Sequence, residues 1–183
     1  METLELLAHP VRLRIVHAMR GGRTLTTARL GALLPDVSKA MLYRHVDLLI
    51  SAGVLELTEE RRVRGAVERH FRLRSDRASA DPAAAAAMGP DDHRRAFAAA
   101  TAALVAEFSA YLDRDDADLS KDAVGYRQHA VWLNQDELNT LISALRDAIL
   151  PTLGNASSTD RARYLLSPIL FPSEAPSTDA EGE

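Results

Sequence analysis

The stretch Val37–Leu57, VSKAMLYRHVDLLISAGVLEL, decides how the N-terminal half of this chain folds. Ser38 stands where a helix N-cap is wanted, because its hydroxyl can accept from an amide that has no partner inside the first turn. Leu42, Val46, Leu49 and Ile50 then recur at helical spacing, which predicts a helix over 39–52 with one apolar face. Gly53 is the residue type that ends such a helix. If the leucines and Val46 point inward, a rotation of about 100° per residue turns Ala40, Tyr43, Arg44 and Asp47 outward, with Ser38 and Lys39 at the N-terminal end. His45 falls at the boundary of the inward face.

Upstream, Leu4, Leu7, Val11, Ile15, Val16 and Met19 recur at the same spacing, with Arg12, Arg14 and Arg20 between them and Gly21-Gly22 behind. His9-Pro10 marks either the true start of this helix or a break after a short first turn. A second, two-turn helix is expected over 27–34, with Thr24 and Thr26 as capping candidates and Pro35 as its stop. Asp36-Val37-Ser38 is then a turn. Downstream, Val54, Leu55 and Leu57 lead into Arg61, Arg62, Val63, Arg64 and Gly65. Val67, Arg69, Phe71 and Leu73 then alternate with polar residues, predicting a hairpin that turns near Arg64-Gly65.

Helix, short helix, tight turn, helix and basic hairpin in this order predict a winged helix-turn-helix, whose second paired helix enters the major groove of double-stranded DNA. A groove about 12 Å wide admits one helix, so a few outward side chains must read it. Arg44 can bond guanine O6 and N7 with its two-pronged head. Ser38, Lys39 and the free amides of the helix start suit a phosphate. Ala40 and Tyr43 complete the face, Tyr43 meeting a thymine methyl or a phosphate. His45 is expected to pack or to bond a phosphate, and Arg61, Arg62 and Arg64 to contact DNA from the hairpin tip. The alternative is a winged-helix module that binds another protein, with Met41 and Tyr43 as anchors.

Charge agrees with a basic reader joined to an acidic remainder. The whole chain carries −4, yet residues 1–77 hold 14 Arg and Lys against 9 Asp and Glu, and residues 78–183 hold 8 against 17. A local basic face, rather than the net charge of the chain, is what phosphate contact needs. With 183 residues, of which 46% are apolar, two small domains are expected. No cysteine is present, which excludes disulfides and thiolate metal sites. The expected cofactor set is therefore none. There is no run of apolar residues long enough to span a membrane and no charged-then-apolar leader at Met1, so a cytoplasmic protein is expected.

The second half reads differently. The Ala-, Asp- and Pro-rich segment 78–91 is expected to be a linker, with the DNA-binding domain at 1–77 before it. A long helix over 92–112 places Phe97, Leu104, Val105, Phe108 and Leu112 along a seam suited to a second copy of the chain. Segments 126–133 and 163–171 are β-prone and flank a helix over 135–150 that Asn134 and Glu137 cap and Pro151 ends. Together they suggest a small β-α-β unit, in which Tyr126, Trp132, Tyr164 and Phe171 either line a pocket for an apolar effector or form core. The expected fold class is thus mainly α with a small β component, an α+β protein. Residues 92–172 form its dimerisation or effector domain, and 173–183 an acidic disordered tail. The aspartates at 113, 115, 116 and 118 lack the glycine and glutamate of a calcium loop. No nucleophile-and-base arrangement or phosphate-binding glycine loop is found, so no enzyme activity is expected.

The stretches HPVRLRIVHAM (9–19), VSKAMLYRHVDLLISAGVLEL (37–57) and RRVRGAVERHFRLR (61–74) resemble the ArsR-like winged-helix transcriptional regulators, particularly their metal-independent branch common in actinobacteria. The resemblance covers roughly residues 4–74. It implies a recognition element over Ser38–His45 and a wing over Arg61–Arg69. It also implies a homodimeric bacterial repressor whose signal, without cysteine ligands, is an organic ligand or a protein partner. YRQHAVWLNQDEL (126–138) resembles, less distinctly, the C-terminal domains attached to such regulators.

Overall fold

Proline at position 10 divides the first helical run in two. In the computed structural model, which describes residues 3–63, 66–74 and 86–174, α1 (Thr3–Leu7) ends before it and α2 (Pro10–Met19) begins on it. Pro10 suits the first helical position because it has no N–H to leave unsatisfied. Extended His9 supplies the cap, its Nδ1 accepting from the Val11 amide at 3.2 Å. Thr26 caps α3 (Thr27–Leu33) by accepting from the Arg29 amide, and Ser38 caps α4 (Lys39–Ser51) by accepting from the Met41 amide, both at 3.3 Å. α4 ends as glycine requires: Gly53 has φ +71°, its amide reaches the Ile50 carbonyl at 2.8 Å and the Val54 amide reaches that of Leu49 at 2.9 Å. This paired closure satisfies two carbonyls that the helix leaves open.

The chain then runs up β2 (Leu55–Val63) and back down β3 (Ala66–Leu73), antiparallel, with Leu55 opposite Leu73 and Leu57 opposite Phe71. The hairpin lies where the alternation places it, though the turn residues Arg64 and Gly65 fall outside the described residues. A bulge between Leu57 and Glu59 frees Thr58, whose hydroxyl donates to the His70 carbonyl at 3.1 Å. The other edge of β3 takes a third strand, β1 (Thr24–Thr26), in the order β1-β3-β2. Sequence reading treats Thr24 only as a capping candidate, because three residues are too few to show a period of two. Leu6, Ile15, Met19, Leu30, Leu42, Leu49, Leu55 and Phe71 fill the core between helices and sheet, each at most 1% exposed. The fold is α+β.

α5 (Pro90–Leu112) is 23 residues long, about 35 Å. It packs against α2 and α1 through Ala99 and Ala103, which are 6% and 0% exposed. The chain divides into units Met1–Ala117 and Asp118–Glu183, and most of the expected linker 78–91 lies outside the described residues; the long helix belongs to the first unit. Alanines form its buried face, so it carries no large apolar stripe that would announce attachment to the first domain.

The second unit departs further from expectation. It contains α6 (Gln135–Leu153), capped reciprocally by Asn134 and Glu137, but segments 126–133 and 163–171 form no strand, and no β-α-β unit forms among the described residues. Strand propensity needs a ladder partner to become a strand. α6 also continues through Pro151 to Leu153: near a helix end the lost donor costs a single bond, and the Thr152 hydroxyl donates to the Ile149 carbonyl at 2.7 Å. No described helix is long and apolar enough to cross a membrane.

Candidate nucleic-acid interface

α4 presents the outward face that its periodicity predicts. Leu42, His45, Val46 and Leu49 are buried against the core, while Lys39, Ala40, Tyr43, Arg44 and Asp47 are exposed, with Met41 and Ser38 beside them. Tyr43 keeps 40% of its surface open to solvent on a helix whose two ends are both capped. A side chain on a fixed, capped helix starts with less freedom to lose on binding than one on a loop.

The turn that aims α4 is fixed from below. Arg14 of α2 is 2% exposed and makes a two-pronged bond to Asp36, Nη1 to Oδ2 at 2.6 Å and Nη2 to Oδ1 at 2.8 Å. Asp36 lies in the turn between α3 and α4. The Glu107 carboxylate of α5 stands 3.5 Å from Arg14 Nε, so one buried guanidinium joins α2, the turn and the long helix. The Arg14 bond holds the Asp36 carboxyl below the usual carboxylate range. Sequence reading treats Arg14 as one of several polar residues on α2, and only tertiary packing distinguishes it.

His45 corrects an expectation. It is 1% exposed and packs on the His9 ring, centroids 4.4 Å apart, so it does not join the reading surface. Neither ring nitrogen has a hydrogen-bond partner among the described residues. Burial, then the neighbouring His9, Arg12 and Arg44, push its pKa down to about 4. The same forces, burial first and then Arg12 and Arg44, lower that of His9. Among the described residues no group of three His, Asp or Glu side chains is placed to hold a metal. His9 thus both caps α2 and supports α4, a role that its place before Pro10 only partly signals.

On the hairpin, Arg61 and Arg62 are exposed near the tip, and Arg64 lies outside the described residues. Arg61 is engaged by Glu59 at 2.6 Å in a solvent-exposed pair, of a kind that holds its partners only weakly. Nearer the base, Arg72 bonds Glu56 across the strands at 2.6 Å, and Arg69 stands 3.6 Å from Asp47 of α4, tying hairpin to helix.

Of the residues expected to form a dimer seam, Phe97, Val105, Phe108 and Leu112 are 51%, 60%, 37% and 47% exposed, and Leu104 is half-buried. They lie nearly half a turn around α5 from Ala99 and Ala103. The expected effector residues are exposed and line no buried pocket among the described residues. Tyr126, Trp132, Tyr164 and Phe171 are 78%, 83%, 67% and 65% exposed, and the strands expected to carry them are not formed.

Residues 7–58 match the family model of a helix-turn-helix domain. No curated protein sequence matches the chain. The helix-turn-helix match begins just before His9 and ends at Thr58, so it takes in the Arg14–Asp36 anchor and all of α4. It stops short of the hairpin tip, α5 and the second unit. A helix-turn-helix domain supports a DNA-binding regulator in general.

Proposed function

We propose that this protein is a transcriptional regulator of the ArsR-like kind, a repressor that acts by binding DNA and not by catalysis. The observation that carries the reading is the exposed Tyr43–Arg44 face of α4, held on a capped helix within the matched helix-turn-helix region. Ser38, Lys39 and Ala40 lead into the major groove, Tyr43 and Arg44 meet base edges, and Arg61, Arg62 and Arg64 of the hairpin follow the adjoining backbone or minor groove.

One such domain reads only a few base pairs, so a homodimer on a near-palindromic site is part of the proposal. The outward stripe of α5, with Val105 and Leu112 at its centre and end, supports it: this helix carries small residues toward its own domain and large apolar ones away from it. The second unit, with its exposed apolar segments, is the proposed place for a modulating apolar ligand or protein partner.

Selection of bound sequences from random duplexes tests the reading. The expected result is one motif of two related half-sites, centres about 34–36 Å apart or a multiple of that. Arg44→Ala should lower affinity for the selected duplex by about 1–3 kcal/mol and relax the preference at one position per half-site. Enrichment of no motif, with no duplex binding, contradicts the proposal.

A further inference from the structure

The stripe of α4 that faces away from the core carries a carboxylate. Ala40, Tyr43, Arg44 and Asp47 are all exposed on it. At about 100° per residue Asp47 falls between Tyr43 and Arg44 in angle, and it lies about 4.5 Å beyond Arg44 along the helix axis. It therefore stands on the midline of the reading face and not at its margin. Its side chain is 58% exposed. The phosphates of any duplex repel an acidic group in that place, so it weakens binding unless a group on the bases offsets the repulsion.

The carboxylate is steered from the hairpin. Arg69 of β3 brings Nη2 to 3.6 Å from Asp47 Oδ1, and its guanidinium lies over the Phe71 ring, 5.9 Å from the centroid. Phe71 is 1% exposed in the core, so the arginine beside Asp47 is itself seated on a fixed ring. Arg69 also offsets part of the negative charge. At 3.6 Å the contact is an ion pair and not a hydrogen bond, so the carboxylate keeps lone pairs for another donor.

We propose that Asp47 is a specificity-determining residue that accepts from the N4 amino group of a cytosine in the major groove. This rests on the DNA-binding reading and extends its reading surface by one helical turn. The base edges decide the partner. Guanine offers O6 and N7 and thymine offers O4, all of them acceptors that repel a carboxylate. Adenine has a donor at N6 but sets the N7 acceptor beside it, whereas cytosine presents its N4 amino group with no acceptor of its own. Arg44 and Asp47 then read by opposite charge, the cation selecting guanine and the anion cytosine. Their spacing of about 4.5 Å, against about 3.4 Å per base step, puts the two bases one or two pairs apart. On every other sequence the carboxylate is a cost, which widens the gap between the selected site and random duplex.

The test uses the full chain, with selection from random duplexes followed by titration of the selected duplex. The wild type should select a cytosine within about two base pairs of the position that Arg44→Ala relaxes. Asp47→Ala should lose the preference for it and keep the rest of the motif. N4-methylcytosine at that position still pairs with guanine but gives up the amino hydrogen that faces the groove. It should lower wild-type affinity about tenfold and leave that of Asp47→Ala unchanged. On random duplex Asp47→Ala should bind as tightly as the wild type or more tightly. A motif unaltered by Asp47→Ala overturns the proposal, as does an equal response of the two proteins to the methylated duplex. Uniformly weaker binding by Asp47→Ala, with base preferences intact, makes the residue a mere support for Arg69 and overturns it too. In each of these outcomes the wild type still selects a motif, so the DNA-binding reading stands. If the wild type selects none, that reading fails and the assignment of Asp47 fails with it.

Discussion

The two units use apolar residues in opposite ways. In Met1–Ala117, leucines, Met19 and Phe71 from four helices and three strands close a continuous core, whereas in Asp118–Glu183 no described residue is buried. Yet α6 is the more strongly amphipathic in pattern, with Leu138, Leu141, Ile142, Leu145 and Ile149 on one face. The difference teaches that a helical pattern fixes which face is apolar but not what covers it. In the first unit the fold supplies the cover; in the second, α6 stands on its caps and on local bonds.

The strongest way to break this contrast is to truncate one large aromatic in each unit. Phe71→Ala should cost about 3–5 kcal/mol by denaturant unfolding, because it opens a cavity at a site 1% exposed. Trp132→Ala, at 83% exposure, should change stability by no more than about 0.5 kcal/mol. Equal losses would mean that the second unit has a core after all.

Next in size is the anchor beneath α4. Asp36→Ala leaves Arg14 buried with only Glu107 near, and should cost about 3 kcal/mol, the low end for a broken buried pair because Asp36 itself is half exposed. The loss should appear in unfolding of the first unit and leave the helicity of α6 unaltered.

Acid should act on the same unit. The unfolded His45 takes up its proton near pH 6.5, but the folded side chain does so only near 4. The fold therefore binds fewer protons between these values. Its contribution is complete above pH 6.5, declines as pH falls toward 4, and amounts to about 3 kcal/mol in all. The depressed pKa of His9 acts in the same direction. His45→Leu should flatten the pH dependence of the melting temperature across that window. The smallest effect belongs to the second unit: Asn134→Ala removes a reciprocal cap and should weaken α6 by about 1 kcal/mol, seen as lost helicity with no shift in the main unfolding transition.

What could be read in advance follows the same division. Ser38, Gly53, Pro10 and the alternation of Val67, Arg69, Phe71 and Leu73 act through local geometry, and each stands in the structure where periodicity and capping chemistry put it. The outward face of α4 was legible for that reason. Features that depend on distant contacts were not. Nothing in RLR at 12–14 says that Arg14 is interred with carboxylates while Arg12 is left without one. His45 sits where a helical wheel leaves it between faces, and only the His9 ring decides that it is covered. The long helix looked detached because its buried face is made of alanines, and the β-prone segments of the second unit form no strands, since strand propensity alone does not set a ladder.

Whether the first unit reads DNA is tested most directly by the salt dependence of duplex binding by the full chain. Electrostatic contact with several phosphates predicts that log affinity falls linearly with log salt, by about 0.9 for each phosphate engaged, with the selected sequence retaining an advantage of at least about a thousandfold over random duplex at physiological salt. An affinity indifferent to salt, or no affinity at all, would contradict it.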